Sequence, residues 1–145
     1  MDLDTPTLFI SDVSHAAGID LGLLRGWINR GFFPLGSKSR SDIRAARLLT
    51  IRTGYAVAIA ARLVEHGLAI SRASMAAQVA AEELTPFLAV YTTEEKHRGE
   101  DSRVAKLALF HEAEDLNRFL LDGSEDIQTV VNCRKIIEQF DNERG

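Results

Sequence analysis

The 145-residue sequence predicts an α+β protein, mainly helical in its first half and followed by a small mixed module. Three observations predict it. Up to Leu84, apolar residues recur at helical spacing in four segments, each with a capping or stop residue at hand. Pro86 then marks a change of pattern, and the short apolar runs PFLAVY, VAKLALF and IQTVV read as strands. Two amphipathic segments follow the second and third of these runs, so the order after Pro86 is strand, strand, helix, strand, helix.

Residues 1–10 form a lead-in whose Leu8, Phe9 and Ile10 are expected to pack beside the first helix or make a short strand. Ser11 can cap that helix, with Val13, Ala16 and Ala17 inward, and Gly18 supplies the left-handed residue that ends it. Asp20 caps a second helix. Within it Leu21, Leu24 and Ile28 face the core, whereas Gly22, Arg25, Gly26 and Asn29 fall on the opposite side, and Gly31 stops it. Two helices joined by a tight glycine turn make a helix-turn-helix.

Glycine inside a helix costs about 1 kcal/mol against alanine, so two of them on the outward side need a reason. Close approach of the helix backbone to a partner is one, and close packing against another part of the chain is the other. DNA suits the first, because Arg pairs with guanine edges and Asn with adenine edges in the major groove. Trp27 is expected to be partly core, with its indole N–H free to bond a phosphate at the edge of the site; a purely core role is the alternative and the more common case for a tryptophan.

In FFPLGSKSRSDIRAARLLT, the apolar stretches Phe32 to Leu35 and Leu48 to Leu49 bracket a polar, basic tip. This reads as a wing, a hairpin that carries Lys38, Arg40 and Arg44 towards a phosphate backbone or the minor groove and is mobile without DNA. The formal net charge is -4. Yet Arg25, Arg30, Lys38, Arg40, Arg44, Arg47 and Arg52 lie against the single acid Asp42, and the segment after Arg72 is strongly acidic. Such asymmetry fits one half meeting a polyanion; a solvated basic face is the alternative. GSKS at Gly36–Ser39 has no glycine five residues before Lys38, which excludes a phosphate-binding P-loop.

Thr50 can cap a helix from Ile51 to His66 that ends at Gly67, with Tyr55, Ile59, Arg62 and Leu63 on its face. Ser71 starts another, Arg72 to Leu84, with Met75, Ala76, Val79 and Ala80 on one side. Abundant alanine from Tyr55 to Ala81 predicts close helix crossings. After Pro86, TTEEKHRGEDSR is expected to be a long mobile connection between two strands. HEAEDLNRFLLDG is amphipathic, with Ala113, Leu116, Phe119 and Leu120 inward and Gly123 as its stop. IQTVV is the third strand, and Cys133 to Glu143 the last helix, with Ile136, Ile137 and Phe140 inward.

Hydrophobic residues make up 46% and charged residues 26%, the balance of a globular chain, and no apolar run approaches the roughly 18–20 residues a membrane span needs. The opening MDLDTPTLF has no signal-peptide character. One cysteine, Cys133, cannot make an internal disulfide and fits a reducing compartment, so a cytoplasmic, nucleoid-associated protein is expected. The length suits one ordinary domain or two small modules, 1–84 and 85–145. His15, His66, His97 and His111 lack zinc-site spacing, and no Ser or Cys nucleophile stands beside a base. Neither metal, cofactor nor enzymatic activity is expected.

LFISDVSHAAGIDLGLLRGWINRGFF, followed by the basic stretch and by RLLT opening an alanine-rich helix that ends in HGL, resembles the MerR-like winged helix-turn-helix group of bacterial and phage regulators. Leu24, Arg25, Trp27, Arg30, Gly31 and Phe32 carry the likeness, which spans about residues 8–80. It implies that Asp20 to Asn29 is the recognition helix, that Arg25 and Trp27 contact DNA, and that Lys38, Arg40 and Arg44 lie on the backbone. The lone Cys133 departs from metal-sensing members, and residues 82–145 lack the coiled-coil signature of members with a long dimerisation helix.

The expected function is therefore sequence-specific transcription regulation on double-stranded DNA by a homodimer joined through residues 86–145. The contact set is Gly22, Arg25, Gly26, Trp27, Asn29, Arg30, Lys38, Arg40, Arg44 and Arg47. The alternatives are an excisionase-like DNA-bending accessory factor, with a recombinase or polymerase as partner, and a protein-interaction adaptor that does not bind DNA.

Overall fold

A computed structural model describes residues 2–35, 48–97, 99–122 and 126–145, with backbone alone at 95–97 and 100–102. Among them are the helices α1 (Ile10–Ala17), α2 (Leu21–Asn29), α3 (Ile51–Glu65), α4 (Ile70–Glu83), α5 (Ala113–Asp122) and α6 (Cys133–Arg144). The strands β1 (Phe87–His97), β2 (Glu100–Phe110) and β3 (Asp126–Asn132) form an antiparallel sheet in the order β2-β1-β3. The protein is thus α+β, and the order after Pro86 is the expected one.

Helix α1 begins one residue before Ser11. Leu8 bridges Leu49, with Leu49 N–H donating to Leu8 O at 2.7 Å and Leu8 N–H to Leu49 O at 2.9 Å. The chain turns helical as soon as that bridge releases it, with Phe9 at the N-cap position and no side chain capping. Ser11 lies inside the first turn, where its carbonyl accepts from Ser14 Oγ at 3.0 Å. Gly18, at φ +69°, ends the helix as the sequence predicts. The bridge also shows that Leu49 has Leu8 as its ladder partner, while Phe32 to Leu35 carries no strand. The expected wing tip, with Lys38, Arg40, Arg44 and Arg47, lies outside the described residues.

Helix α3 is the central element. The Thr50 hydroxyl accepts from Thr53 N–H at 2.9 Å and caps it, and Gly67 at φ +96° follows its end. Instead of the single face expected, burial runs almost all round, through Ala56, Val57, Ala58, Ala60 and Ala61 as well as Tyr55, Ile59 and Leu63, while Arg62 is exposed. Helices α1, α4 and α6 surround it. Gly54 makes room for one of them: a Cβ there would stand 2.5 Å from Cζ of Phe140 on α6. The Phe140 ring meets Tyr55 edge-on at 5.7 Å, and the Tyr55 hydroxyl donates to Asp141 at 2.9 Å.

Helix α4 corrects the sequence reading. It starts at Ile70 rather than near Ser71, and its inward side is Ala73, Ser74, Ala77, Ala80 and Ala81. Met75 is 71% exposed and Val79 42%. The alanine side lets α4 lie close on α3, and close contact over a smooth surface outweighs the larger side chains of the other face.

The sheet corrects another expectation. TTEEKHRGEDSR is mostly strand: the β1–β2 register continues to His97 opposite Glu100, and Gly99 turns at φ +82°. Glu94 stands opposite Arg103 in that register, and the Arg103 guanidinium also donates to Asp126 of β3 at 2.8 Å, so opposite charges support pairing beyond the apolar part of the sheet. Leu88, Val90 and Val131 turn one sheet face into the core. On the other face the Phe119 ring of α5 meets Tyr91 edge-on and Phe110 at a tilt, both at 5.2 Å between centroids. Helix α5 sits on that face by Phe119 and the buried Leu116; Ala113 and Leu120, expected inward, are exposed because the sheet covers only part of the helix's apolar side. Its expected stop, Gly123, lies outside the described residues.

One hydrophobic core contains Val13, Leu24, Leu49, Ile59, Leu88, Cys133 and Phe140, so it is continuous across the 84/85 boundary. No helix among the described residues is long and apolar enough to cross a membrane.

Candidate nucleic-acid interface

The outward side of α2 is built by what the inward side must do. Leu24, Trp27 and Ile28 are buried, which leaves Gly22, Arg25 and Asn29 exposed and Gly26 half-buried. Asp20 caps the helix by accepting from Leu23 N–H at 3.2 Å. At the other end Arg30 is the C-cap, and its guanidinium stands 4.8 Å from the centroid of the Phe32 ring, a cation–π contact that holds the side chain at the helix end. The Phe32 carbonyl accepts from Gln78 Nε2 of α4 at 2.8 Å, which fixes the exit from α2 to the body.

The two glycines differ. A Cβ on Gly22 would lie 3.0 Å from Asp20 Oδ2, so this glycine leaves space for the capping carboxylate, a reason internal to the helix. A Cβ on Gly26 would meet nothing within 4 Å among the described residues. Packing within the described fold therefore accounts for Gly22 and leaves Gly26 without an internal reason.

Of the residues expected to contact DNA, the fold gathers Gly22, Arg25, Gly26, Asn29 and Arg30 on or beside one helix. Trp27 is turned inward at 4% exposure, its ring 6.1 Å from that of Phe33. Lys38, Arg40, Arg44 and Arg47 lie outside the described residues. Arg52, counted with the basic stretch, is a clasp: it pairs with Asp4 at 2.8 Å and donates to the carbonyls of Ala81 and Glu82 at 2.9 and 3.0 Å. The Asp4 hydrogen bond raises the pKa of its guanidinium further.

Leu23 is the residue the sequence reading missed. It is 46% exposed on α2, next to Gly22 in the chain and three residues before Gly26. The signal was present, since Leu23 belongs to neither the inward row of Leu21, Leu24 and Ile28 nor the polar side.

Behind the motif, α1 packs on α3 and α6, so the helix that orients α2 is held by elements from both halves of the chain. No protein-family model and no curated protein matches the sequence.

Proposed function

We propose that the protein is a sequence-specific DNA-binding transcription regulator of the MerR-like winged helix-turn-helix type, with α2 entering the major groove. The observation that carries this reading is Gly26: a mid-helix glycine whose Cβ would meet none of the described residues within 4 Å, flanked on the same outward side by Arg25 and Asn29. Such a glycine weakens the helix by about 1 kcal/mol, and close approach of a partner is the return for it. Arg25 and Asn29 supply the hydrogen-bonding groups that read guanine and adenine edges, and exposed Leu23 offers an apolar contact for a thymine methyl. Arg30 and the basic stretch of 38–47 supply phosphate contacts.

One such head buries only about 600–1,000 Å² on DNA, so useful specificity calls for two. The homodimer is proposed through residues 86–145, where Leu120 and Leu121 of α5 are exposed apolar residues. The adaptor reading has one observation in its favour, the exposed Leu23, which a protein groove would accept as readily as a base edge.

Selection of genomic fragments with the purified protein, followed by fluorescence anisotropy on the enriched duplex at several salt concentrations, tests the reading. The expected result is an inverted repeat bound with a steep salt slope. Gly26→Ala gives the sharper outcome: the variant should be more stable by up to about 1 kcal/mol and bind the enriched duplex about tenfold more weakly. Unchanged affinity in a stabilised variant would sink the major-groove assignment, and enrichment of nothing would favour the adaptor.

A further inference from the structure

A groove follows the seam between α3 and α6, from the turn of the helix-turn-helix to the end of β3. Its two cavities, of about 310 and 260 Å³, share Arg62, Ile136 and Gln139 and so lie side by side. Their linings differ in charge. The first reaches His15 and Gly18 and includes the carboxylates of Glu65 and Glu143. The second, at the β3 end, is lined by Arg62, His66 and Lys135 and, among its described residues, by no carboxylate.

That second cavity has two kinds of wall. Asn132 and Gln139 add amide groups to the cationic side, whereas Val130, Val131 and Ile136 supply an apolar side. Arg62 has an ion pair with Glu65, but at 3.7 Å and between side chains 47% and 66% exposed it is a weak one that leaves the guanidinium able to turn. The Asn132 side chain caps α6 by accepting from Lys135 N–H at 3.0 Å, which fixes the backbone from which the Lys135 ammonium projects. Two basic side chains around a partly apolar hollow that no described carboxylate lines give it a local positive potential, although the chain as a whole has a net charge of -4.

We propose that this cavity binds a small amphipathic anion, its carboxylate or phosphate held by Arg62 and Lys135 and a short alkyl part laid on Val130, Val131 and Ile136. The recognising chemistry is the same for a fatty-acid-like carboxylate and for an alkyl phosphate: bidentate or point-charge pairing at one end, hydrocarbon contact at the other. An occupant lies between α3 and α6, the two helices that support α1. Any influence on DNA binding rests on the function proposed above; the binding itself does not.

The test is a titration of the full-length, isotopically labelled protein by NMR with hexanoate, hexyl phosphate, acetate and hexanol. Both alkyl anions should produce saturable shifts at the Asn132 and Gln139 side-chain amides and at the Val130 and Ile136 methyls, the stronger one naming the headgroup. Acetate should bind at least tenfold more weakly. Arg62→Gln combined with Lys135→Gln should weaken the better ligand at least tenfold while the thermal midpoint stays in place; both side chains are on the surface, so folding is not at risk. Equal shifts with hexanol, no saturation with either anion, or undiminished binding by the double variant would each overturn the proposal. None of these outcomes depends on whether the protein binds DNA.

Discussion

At the scale of single residues, Phe140 and Gly54 form a tight fit, since no side chain fits at 54 while the ring stays in place. Phe140→Ala should lower stability by about 3–5 kcal/mol and Gly54→Ala by about 1–3 kcal/mol, read from urea unfolding. The double variant should lose clearly less than the sum, because the methyl at 54 then enters space the ring has left. Cys133 is fully buried, and burial pushes its thiol up to about 12. It should therefore resist thiol reagents in the native protein and react once denatured. Burial, and then the hydrogen bond to Asp141, also raise Tyr55. Both groups favour the folded state while protonated, so stability is present below their unfolded pKa values and lost as pH rises. A stability profile should start to fall near pH 8.5 through Cys133 and steepen above about pH 10 through Tyr55. Cys133→Ala should remove the first part of that fall, and its persistence would assign it elsewhere.

At the scale of elements, what the sequence disclosed was what neighbouring residues decide. Asp20, Thr50 and Gly18 announce the ends of α2, α3 and α1 because a cap acts within three residues of its own position. Asp20→Ala should accordingly cost about 1 kcal/mol, measurable in the same unfolding experiment. The face of α4 was hidden because hydropathy ranks Met75 and Val79 above alanine, whereas the fit against α3 selects the smallest side chains. The charged end of the β1–β2 hairpin was hidden because a polar run resembles a loop until the opposite strand's charges are seen beside it. The outward side of α2 was legible in Gly22, Arg25, Gly26 and Asn29 at helical spacing. The inward turn of Trp27 and the outward turn of Leu23 depend on the angle at which α2 meets the body, which no local pattern encodes.

At the scale of the whole molecule, the least legible feature was the union of the two halves: Tyr55 and Asp141, joined by a hydrogen bond, are 86 positions apart in the chain. A fragment of residues 1–84 lacks Phe140, Cys133 and Leu88 of the common core and should show no cooperative unfolding transition by circular dichroism. A folded fragment would mean that the head stands alone. The same union sets the order of events during synthesis. The helix-turn-helix leaves the ribosome early, but the ring that fills the space at Gly54 follows only when α6 has been made. A nascent chain thus exposes α1 and α2 before the ring that packs on Gly54 exists, and the contacts of α6 with α1 and α3 that support them close only once Phe140 has been made.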